Sequence, residues 1–406
     1  MHDGELHGVV DSPGVSRGRL TWSSFSQLIL LIILSGPFSW GCAALGTPSL
    51  PRSLAPVTVI GVVAPTALTA GVTHACALLS DGRIKCWGDN SLGQLGDGTT
   101  GKPPEPVFVS EVSTATELSA GGAHTCALLA GGEIACWGAN QDGQLGSGTV
   151  TNSPLPIEVD AIHHATAVAA GWAHTCALLS DGTVRCWGNN NAGQLGNGTI
   201  TSSPIPTAVA NVSAARGITT GVAHACAVLE DGTVRCWGTD GFGQHPTRAF
   251  SFRSTYPVLV PDLGSVTAVS AGRNHTCALL NDRGLKCWGS NIFAQLGGMS
   301  GAIASTRPIS VVGVSDATAI SAGGFHTCAL LVDKAVKCWG ANLAGQLGST
   351  TGKGSLSFHP LAVTAIPPAS AVASGGAFTC ALLVNGSVAC WGGNEYGQLG
   401  GGAGRG

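Results

Sequence analysis

The chain has 406 residues with a formal net charge of −3, and only 10% of them are Asp, Glu, Lys or Arg. This balance leaves no basic surface of the kind that binds nucleic acid, so we expect no nucleic-acid partner. The chain also lacks any apolar period of helical spacing sustained over ten residues, which favours an all-β protein.

Residues 1–42 differ in character from the rest of the chain. Arg17 and Arg19 precede an apolar run, residues 28–34, that is too short to span a bilayer comfortably. Basic residues, a short apolar run and then small residues are typical of an export signal. We therefore expect residues 1–42 to direct export, and residues 43–55, which contain few apolar side chains, to form a linker.

The export segment ends in the sequence FSWGC, residues 38–42, which resembles a bacterial lipoprotein box. Gly41 before Cys42 fits that motif, whereas Ser39 stands where an aliphatic residue is usual. Lipidation of Cys42 is one interpretation, and cleavage nearby or an uncleaved anchor are the alternatives. In each case we expect contact with a membrane only through this segment.

Seven near-copies of one tract occupy residues 56–406, and AGWAHTCALLSDGTVRCWGNNNAGQLGNGT, residues 170–199, represents them. The first cysteine of each copy recurs at intervals of 50, 50, 50, 51, 51 and 52 residues. The third copy has strand-like segments at residues 166–170, 174–179, 183–188 and 204–209. A period near 50 residues with about four short strands per copy predicts a seven-bladed β-propeller with antiparallel blades.

The two ends of the repeat array should complete one blade together. The last copy ends in a GQLG turn and lacks the proline-containing fourth strand that follows the others. The sequence PVTVI, residues 56–60, resembles that missing strand. We predict that it pairs with residues 387–391, which closes the ring and hides the strand edges.

Each copy contains two cysteines ten positions apart. In the third copy, a hairpin turn at residues 180–182 with Gly182 in the left-handed conformation places Cys176 opposite Cys186. That position is a non-hydrogen-bonded pair, with Cα atoms close enough for a disulfide. The seven pairs are Cys76–Cys86, Cys126–Cys136, Cys176–Cys186, Cys226–Cys236, Cys277–Cys287, Cys328–Cys338 and Cys380–Cys390.

Two other interpretations of these cysteines remain open. His174, Cys176 and Cys186 could supply zinc ligands, but the last copy keeps its cysteines with Phe378 in place of the histidine. Free buried cysteines are the other alternative. Pairing in an exported chain favours disulfides. Copies five and six carry Arg283 and Lys334 at the left-handed turn position, which should strain the turn or force another turn type. Of the seven disulfides, we therefore expect these two to be the most prone to distortion or loss.

The repeated tract resembles the repeat of the regulator of chromosome condensation family, in its bacterial cysteine-containing form. The shared pattern is GxxHTCALxxDGxVxCWGxNxxGQLG, and it covers residues 56–400. The resemblance implies a seven-bladed propeller. The repeated histidines, tryptophans and GQLG glutamines then belong to the scaffold between blades, since a single site needs features that the scaffold does not repeat.

Two places break the symmetry and are candidate partner-binding sites. The first is the loop between the first and second strands, where Trp172, Arg273 and Phe325 are the bulky members. The second is the fourth copy, whose GQLG turn is replaced by an aromatic and basic loop. Arginine and aromatic residues are favoured interface anchors. The candidates in that loop are Arg248, Phe252, Arg253 and Tyr256.

No motif of an enzyme, metal site or cofactor site is present, so we expect no catalytic residue and no cofactor. We expect an exported, monomeric propeller that binds a protein or another macromolecule at the cell envelope. The alternative, implied by the eukaryotic member that named the family, is guanine-nucleotide exchange. That activity acts on a GTPase inside the cell, where an export signal and disulfides are out of place.

Overall fold

The computed structural model describes residues 52–244, 252–298, 301–349 and 355–402. These residues form 28 strands, numbered β1 to β28 in chain order, and no helix. The strands make seven four-stranded antiparallel sheets, which are the blades of a propeller. The export segment, Cys42 and Arg248 lie outside the described residues.

The first strand of each blade is innermost, and the second and third follow outward. The first strands are Pro65–Ala70 (β2), Ala115–Ala120 (β6), Ala165–Ala170 (β10), Ala215–Thr220 (β14), Val266–Ala271 (β18), Ala317–Ala322 (β22) and Ala369–Ser374 (β26). The second strands are His74–Leu79 (β3), His124–Leu129 (β7), His174–Leu179 (β11), His224–Leu229 (β15), His275–Leu280 (β19), His326–Leu331 (β23) and Phe378–Leu383 (β27). The third strands are Ile84–Gly88 (β4), Ile134–Gly138 (β8), Val184–Gly188 (β12), Val234–Thr239 (β16), Leu285–Ser290 (β20), Val336–Ala341 (β24) and Val388–Gly393 (β28).

The fourth strands form the outer edge of each blade. They are Val107–Phe108 (β5), Ser153–Glu158 (β9), Ser203–Ala208 (β13), Arg253–Leu259 (β17), Ala304–Ser310 (β21), Leu356–Ala362 (β25) and, in the seventh blade, Arg52–Thr58 (β1). Their prolines lack an N–H, which is tolerated at an edge. The boundaries of the third blade agree with the sequence prediction to within one residue.

The closing strand confirms that the two ends of the array share one blade. In β1, Val57 pairs with Cys390 and Thr58 with Ala389, and a bulge separates these pairs from Ser53 and Gly392. The strand begins at Arg52, so the end of the segment expected to be a linker, residues 43–55, belongs to the propeller. The strand is longer than predicted because backbone pairing with β28 continues beyond the apolar residues that made the strand recognisable.

The hydrophobic core lies between adjacent blades. In one cluster, Cys176, Leu178 and Val184 of the third blade pack against Ala225, Ala227 and Trp237 of the fourth. The second strand of the third blade is buried at five of its six positions because a blade covers each of its faces. This explains why both alternating sets of its side chains are apolar or small.

All seven expected cysteine pairs are disulfides in the structure. Cys176 lies opposite Cys186 in the predicted register, with Cα atoms 4.1 Å apart. The cysteine sulfurs are bonded to one another, so they are not available as thiolate ligands of a zinc ion.

The expectation for copies five and six is wrong. Arg283 and Lys334 adopt the left-handed conformation, with φ of 66° and 70°, and both neighbouring disulfides have the same 4.1 Å Cα separation as Cys176–Cys186. In each of these two turns, an aspartate side chain accepts the backbone N–H of the residue two positions later. Asp282 Oδ1 accepts the N–H of Gly284, and Asp333 Oδ1 accepts that of Ala335. The glycine-containing turn of the third blade makes the same hydrogen bond, from the N–H of Thr183 to Asp181 Oδ1, so the turns with Arg283 and Lys334 keep the usual hydrogen bonding.

Strand direction assigns every loop to one face of the disc. Because the strands of a blade alternate in direction, the loop after the first strand and the loop after the third emerge on the same face. We call this the mouth face, since it surrounds one end of the channel between the seven inner strands. The sequence did not decide whether the two candidate loops share a face. The topology shows that the described ends of the blade-four loop, at Gln244 and Phe252, lie on the mouth face.

Candidate functional site

The loops between the first and second strands form a closed ring of backbone hydrogen bonds around one end of the channel. In each blade, the residue after the loop glycine donates its N–H to a carbonyl of the next blade. The donor and acceptor residues are Val72 and Gly121, Gly122 and Gly171, Trp172 and Gly221, Val222 and Arg273, Arg273 and Gly323, Gly324 and Gly375, and Gly376 and Gly71. The backbone is therefore paired, and the side chains that differ between blades determine what the mouth can bind.

Three side chains from three blades meet at this mouth. The Arg273 guanidinium carbon lies 5.8 Å from the centroid of the Trp172 ring and 5.1 Å from that of Phe325. Both distances suit cation–π attraction. The structure thus brings together the three residues that the sequence selected by their bulk in this loop.

A fourth aromatic residue, Phe293, completes the group and was not predicted. Its ring centroid lies 4.7 Å from that of Phe325, with the planes tilted by 57°. Phe293 belongs to the loop after the third strand of blade five, where Ala294 takes φ of 63° at a position that is glycine in most copies. Comparing that second loop between copies would have revealed it. We call Trp172, Arg273, Phe293 and Phe325 the mouth cluster.

The Arg273 guanidinium is only partly solvated. Arg273 is half-buried, and burial lowers the pKa of its side chain. Within the part of the chain that the structure describes, the guanidinium makes no hydrogen bond and no ion pair. Its planar set of N–H donors is the group that proteins use for carboxylates and phosphates. The mouth cluster is therefore suited to an anionic group presented beside an apolar or aromatic one.

The described candidates of the blade-four loop, Phe252, Arg253 and Tyr256, lie farther from the axis. Phe252 is 82% exposed, and Arg253 Nη1 donates to the carbonyl of Asn191 in the neighbouring blade at 3.1 Å. Tyr256, on the outer strand β17, lies against Gly198 and is half exposed. These residues adjoin the outer rim, whereas the mouth cluster stands on loops of the inner strands.

The channel behind the mouth is lined by the inner strands and encloses about 240 Å³. Hydroxyl groups from several blades face it, including Thr69, Ser119, Thr219 and Ser321. Each of these four accepts a backbone N–H from the following blade at 2.8–3.0 Å. Among the described lining residues, the single ionisable side chain is Glu117.

The pKa of Glu117 is raised to about 7, chiefly because burial removes solvent from the carboxylate, while a hydrogen bond from the backbone of Val168 opposes the shift. Its counterparts in other blades are small residues, namely Ala67, Ala167, Gly217, Ala268, Ala319 and Ala371. Glu117 was not predicted as a site residue, because a glutamate in a strand with exposed positions is ordinary.

The repeated tryptophans tie the blades together. Each indole Nε1 donates to the backbone carbonyl of a GQ-type glutamine in the preceding blade. The donor and acceptor residues are Trp87 and Gln398, Trp137 and Gln94, Trp187 and Gln144, Trp237 and Gln194, Trp288 and Gln244, Trp339 and Gln295, and Trp391 and Gln346. The first of these bonds joins the two ends of the ring.

The repeated histidines have a related role. His124 Nε2 lies 2.9 Å from Thr175 Oγ1 in the next blade, and that hydroxyl donates to the carbonyl of Gln144 at 2.8 Å. The hydroxyl proton is committed, so Nε2 carries the proton of a neutral imidazole. Burial lowers the pKa of His124 to about 3 and that of His74 to about 4, which keeps both rings neutral.

Two blade junctions depart from this pattern. At one junction Phe378 replaces the histidine and Ala75 of the next blade replaces the threonine, so the contact is apolar on both sides. His174 likewise faces the position of Ala225, and neither ring nitrogen of His174 has a side-chain partner. Burial lowers its pKa to about 4, with the backbone of His224 acting in the other direction.

Sequence comparison identifies the repeats. A family model described as the regulator of chromosome condensation (RCC1) repeat matches residues 66–94, 115–144, 165–194, 215–244, 266–295, 317–346 and 369–398, which is more than half of the chain. The chain belongs to the RCC1 repeat family. A second RCC1 model matches residues 81–128, 132–178 and 181–228 of the same array.

Curated relatives share part of the RCC1 array. A human protein described as a probable E3 ubiquitin-protein ligase, HERC6, is 35% identical over 139 residues, which is 33% of this chain and 13% of that protein. The ultraviolet-B receptor UVR8 of Arabidopsis thaliana is 30% identical over 138 residues, or 33% of this chain and 31% of the receptor. The chain therefore spans less than a third of the length of these relatives.

Solved RCC1 propellers have the same fold. Yeast RCC1 (Prp20), in its complex with Kap60, superposes with a TM-score of 0.70 at 19% identity, covering 88% of this chain and 96% of that one. Human WBSCR16 gives a TM-score of 0.71 at 21% identity, covering 88% and 94%. At these identities the likeness establishes the fold alone. Among the described residues of this chain, no helix has the length and apolar character needed to cross a membrane.

Proposed function

We propose that this RCC1 propeller is an exported scaffold that binds another protein at the cell envelope through its mouth face and carries out no catalysis of its own. The observation that supports this most directly is the Arg273 guanidinium, held between Trp172 and Phe325 with no polar partner among the described residues. The propeller supplies the rigid support, so little conformational entropy is lost when a partner docks.

The mouth cluster also suggests what the partner presents. A carboxylate of an acidic side chain or a chain terminus would accept two parallel hydrogen bonds from the guanidinium, and an adjacent apolar side chain would pack on the rings. Desolvation of the guanidinium strengthens such an ion pair relative to one formed in water. The more exposed Phe252 and Arg253 would contact the same partner farther out on the face.

Export is supported by composition and by the disulfides. Residues 1–42 have the features of an export signal, and an array with a disulfide in every blade fits an oxidising compartment. Cell fractionation tests this part directly. Recovery in the envelope or medium with oxidised cysteines is expected, whereas a reduced protein in the cytosol would favour the exchange-factor alternative.

The binding role is tested by affinity capture from envelope extract, followed by measurement of the captured partner's dissociation constant. Trp172→Ala should weaken binding by about 1 kcal/mol or more, and the triple variant with Arg273→Ala and Phe325→Ala by more still. Unchanged affinity of the triple variant would remove this face from consideration.

A control variant should change the same ring of loops without removing a side chain of the mouth cluster. Gly122 is unsuitable as a control site because a Cβ there would collide with the carbonyl oxygen of Trp172. Val222 occupies the corresponding loop position in blade four and carries a side chain already. Val222→Ala therefore alters the same ring without removing an anchor, and its affinity should match that of the unmodified protein.

A further inference from the structure

Glu117 and Arg273 lie at different levels along the propeller axis. Glu117 is the third residue of the inner strand β6, whereas Arg273 follows the end of the inner strand β18 by two positions. At a rise of about 3.3 Å per residue, five residues separate these levels by about 16 Å along the axis. The carboxylate is therefore too far from the guanidinium to form an ion pair with it. Among the described residues that line the channel, Glu117 has the one ionisable side chain.

The channel lining supplies further oxygen atoms. The lining hydroxyls of Ser119 and Thr219 each accept one backbone N–H, at 2.9 Å in both cases, and so keep a second lone pair. No lining residue among those described carries a positive charge. A buried carboxylate without a cationic partner is costly, and a cation that enters the channel offsets that cost.

We propose that the channel binds an alkylammonium group, with the Glu117 carboxylate as its counter-ion and the neighbouring hydroxyls as secondary acceptors. An ammonium is compact and directs its donors to several acceptors at once, which suits a channel lined from seven sides. The 240 Å³ space is too confined for a folded partner but admits one extended side chain or a small amine. The ligand is then either the lysine side chain of a partner or a free small amine.

This site is independent of the mouth cluster and does not require a protein partner. It can therefore be tested with butylammonium chloride as the probe, against butan-1-ol and sodium chloride as the neutral and ionic controls. The chain has eight glutamates, so carboxyl-labelled glutamate gives a simple NMR spectrum. The signal absent from Glu117→Ala identifies the channel carboxyl, and this variant keeps the fold because five other blades have alanine at that position.

Saturating butylammonium should lower the titration midpoint of the Glu117 signal from about 7 by one unit or more. A shift of one unit corresponds to tenfold tighter binding of the amine to the ionised carboxyl than to the protonated one. Calorimetric binding of butylammonium should be lost in Glu117→Ala and kept in Glu158→Ala, which removes an exposed carboxyl from strand β9. A midpoint that butylammonium leaves unchanged overturns the proposal.

A second probe distinguishes the two sources of the ammonium group. A blocked Gly-Lys-Gly peptide shifts the midpoint as butylammonium does if the channel admits a lysine side chain from a protein. A shift with butylammonium alone supports the site with a free amine as its ligand. Failure of both probes excludes the site while leaving the proposed binding role of the mouth cluster untouched.

Discussion

Acidification from about pH 7.5 to about pH 5 should remove much of the propeller's stability. At pH 5 the buried histidines stay neutral in the folded protein, whereas the same histidines bind protons in the unfolded chain, so acid favours unfolding. Burial lowers the pKa of five of them from 6.5 to about 4, 3, 4, 3 and 3, in the order His74, His124, His174, His275 and His326. A depressed histidine pKa contributes stability that is complete above 6.5 and is lost as the pH falls toward the folded-state value.

The size of the effect follows from these values. Protonation of each histidine stabilises the unfolded chain by about 1.36 kcal/mol for every pH unit below 6.5. Near pH 5 this is about 2 kcal/mol for each histidine and about 10 kcal/mol for five. Glu117 acts in the opposite direction, since its pKa is raised to about 7, and it adds about 2 kcal/mol of stability over the same interval. A net loss of about 8 kcal/mol is comparable with the whole stability of a typical domain.

The assay is guanidinium unfolding at both pH values, with disulfides intact and the buried tryptophans as the fluorescence signal. The informative variant is His174→Phe, because the chain already places Phe378 beside an alanine at the equivalent junction. It should be nearly as stable as the unmodified protein near pH 7.5 and should lose about 2 kcal/mol less on acidification. His124→Phe should show the same smaller loss but start about 1 kcal/mol less stable, since it gives up the hydrogen bond to Thr175.

Equal free energies of unfolding at the two pH values would show that the buried histidines do not make stability depend on pH in this range. A His174→Phe variant that retains the full loss on acidification would likewise contradict the prediction, since the protonation would then lie elsewhere.

Three further predictions concern the scaffold. Trp87→Phe removes the donor to Gln398 that joins the first and last blades, so amide exchange of strand β1 should accelerate, whereas Trp187→Phe should leave that strand protected. Gly122→Ala should destabilise the propeller by about 1 kcal/mol or more in thermal unfolding, while Val222→Ala should have a smaller effect. Peptide mass mapping without reduction should find all seven cysteine pairs linked, and free thiols at Cys277–Cys287 or Cys328–Cys338 would show that the strained turns prevent pairing after all.

The blade count, the strand order within a blade and the cysteine register could all be predicted from the amino-acid sequence. Each of these depends on residues close together in the chain: a ten-residue hairpin sets Cys176 opposite Cys186, and the same local pattern recurs seven times. The closing strand was predictable for a related reason, because a missing fourth strand at one end matched a spare strand at the other.

The way in which the departures from the repeat combine could not be predicted, because it depends on the folded ring. Trp172, Arg273 and Phe325 stand in different blades, and ring closure is what brings them around one opening. Phe293 joins them from a loop of another type, and Glu117 acquires its raised pKa only because seven inner strands enclose it. Burial and through-space distance depend on the closed ring as a whole, so no local stretch of sequence specifies them.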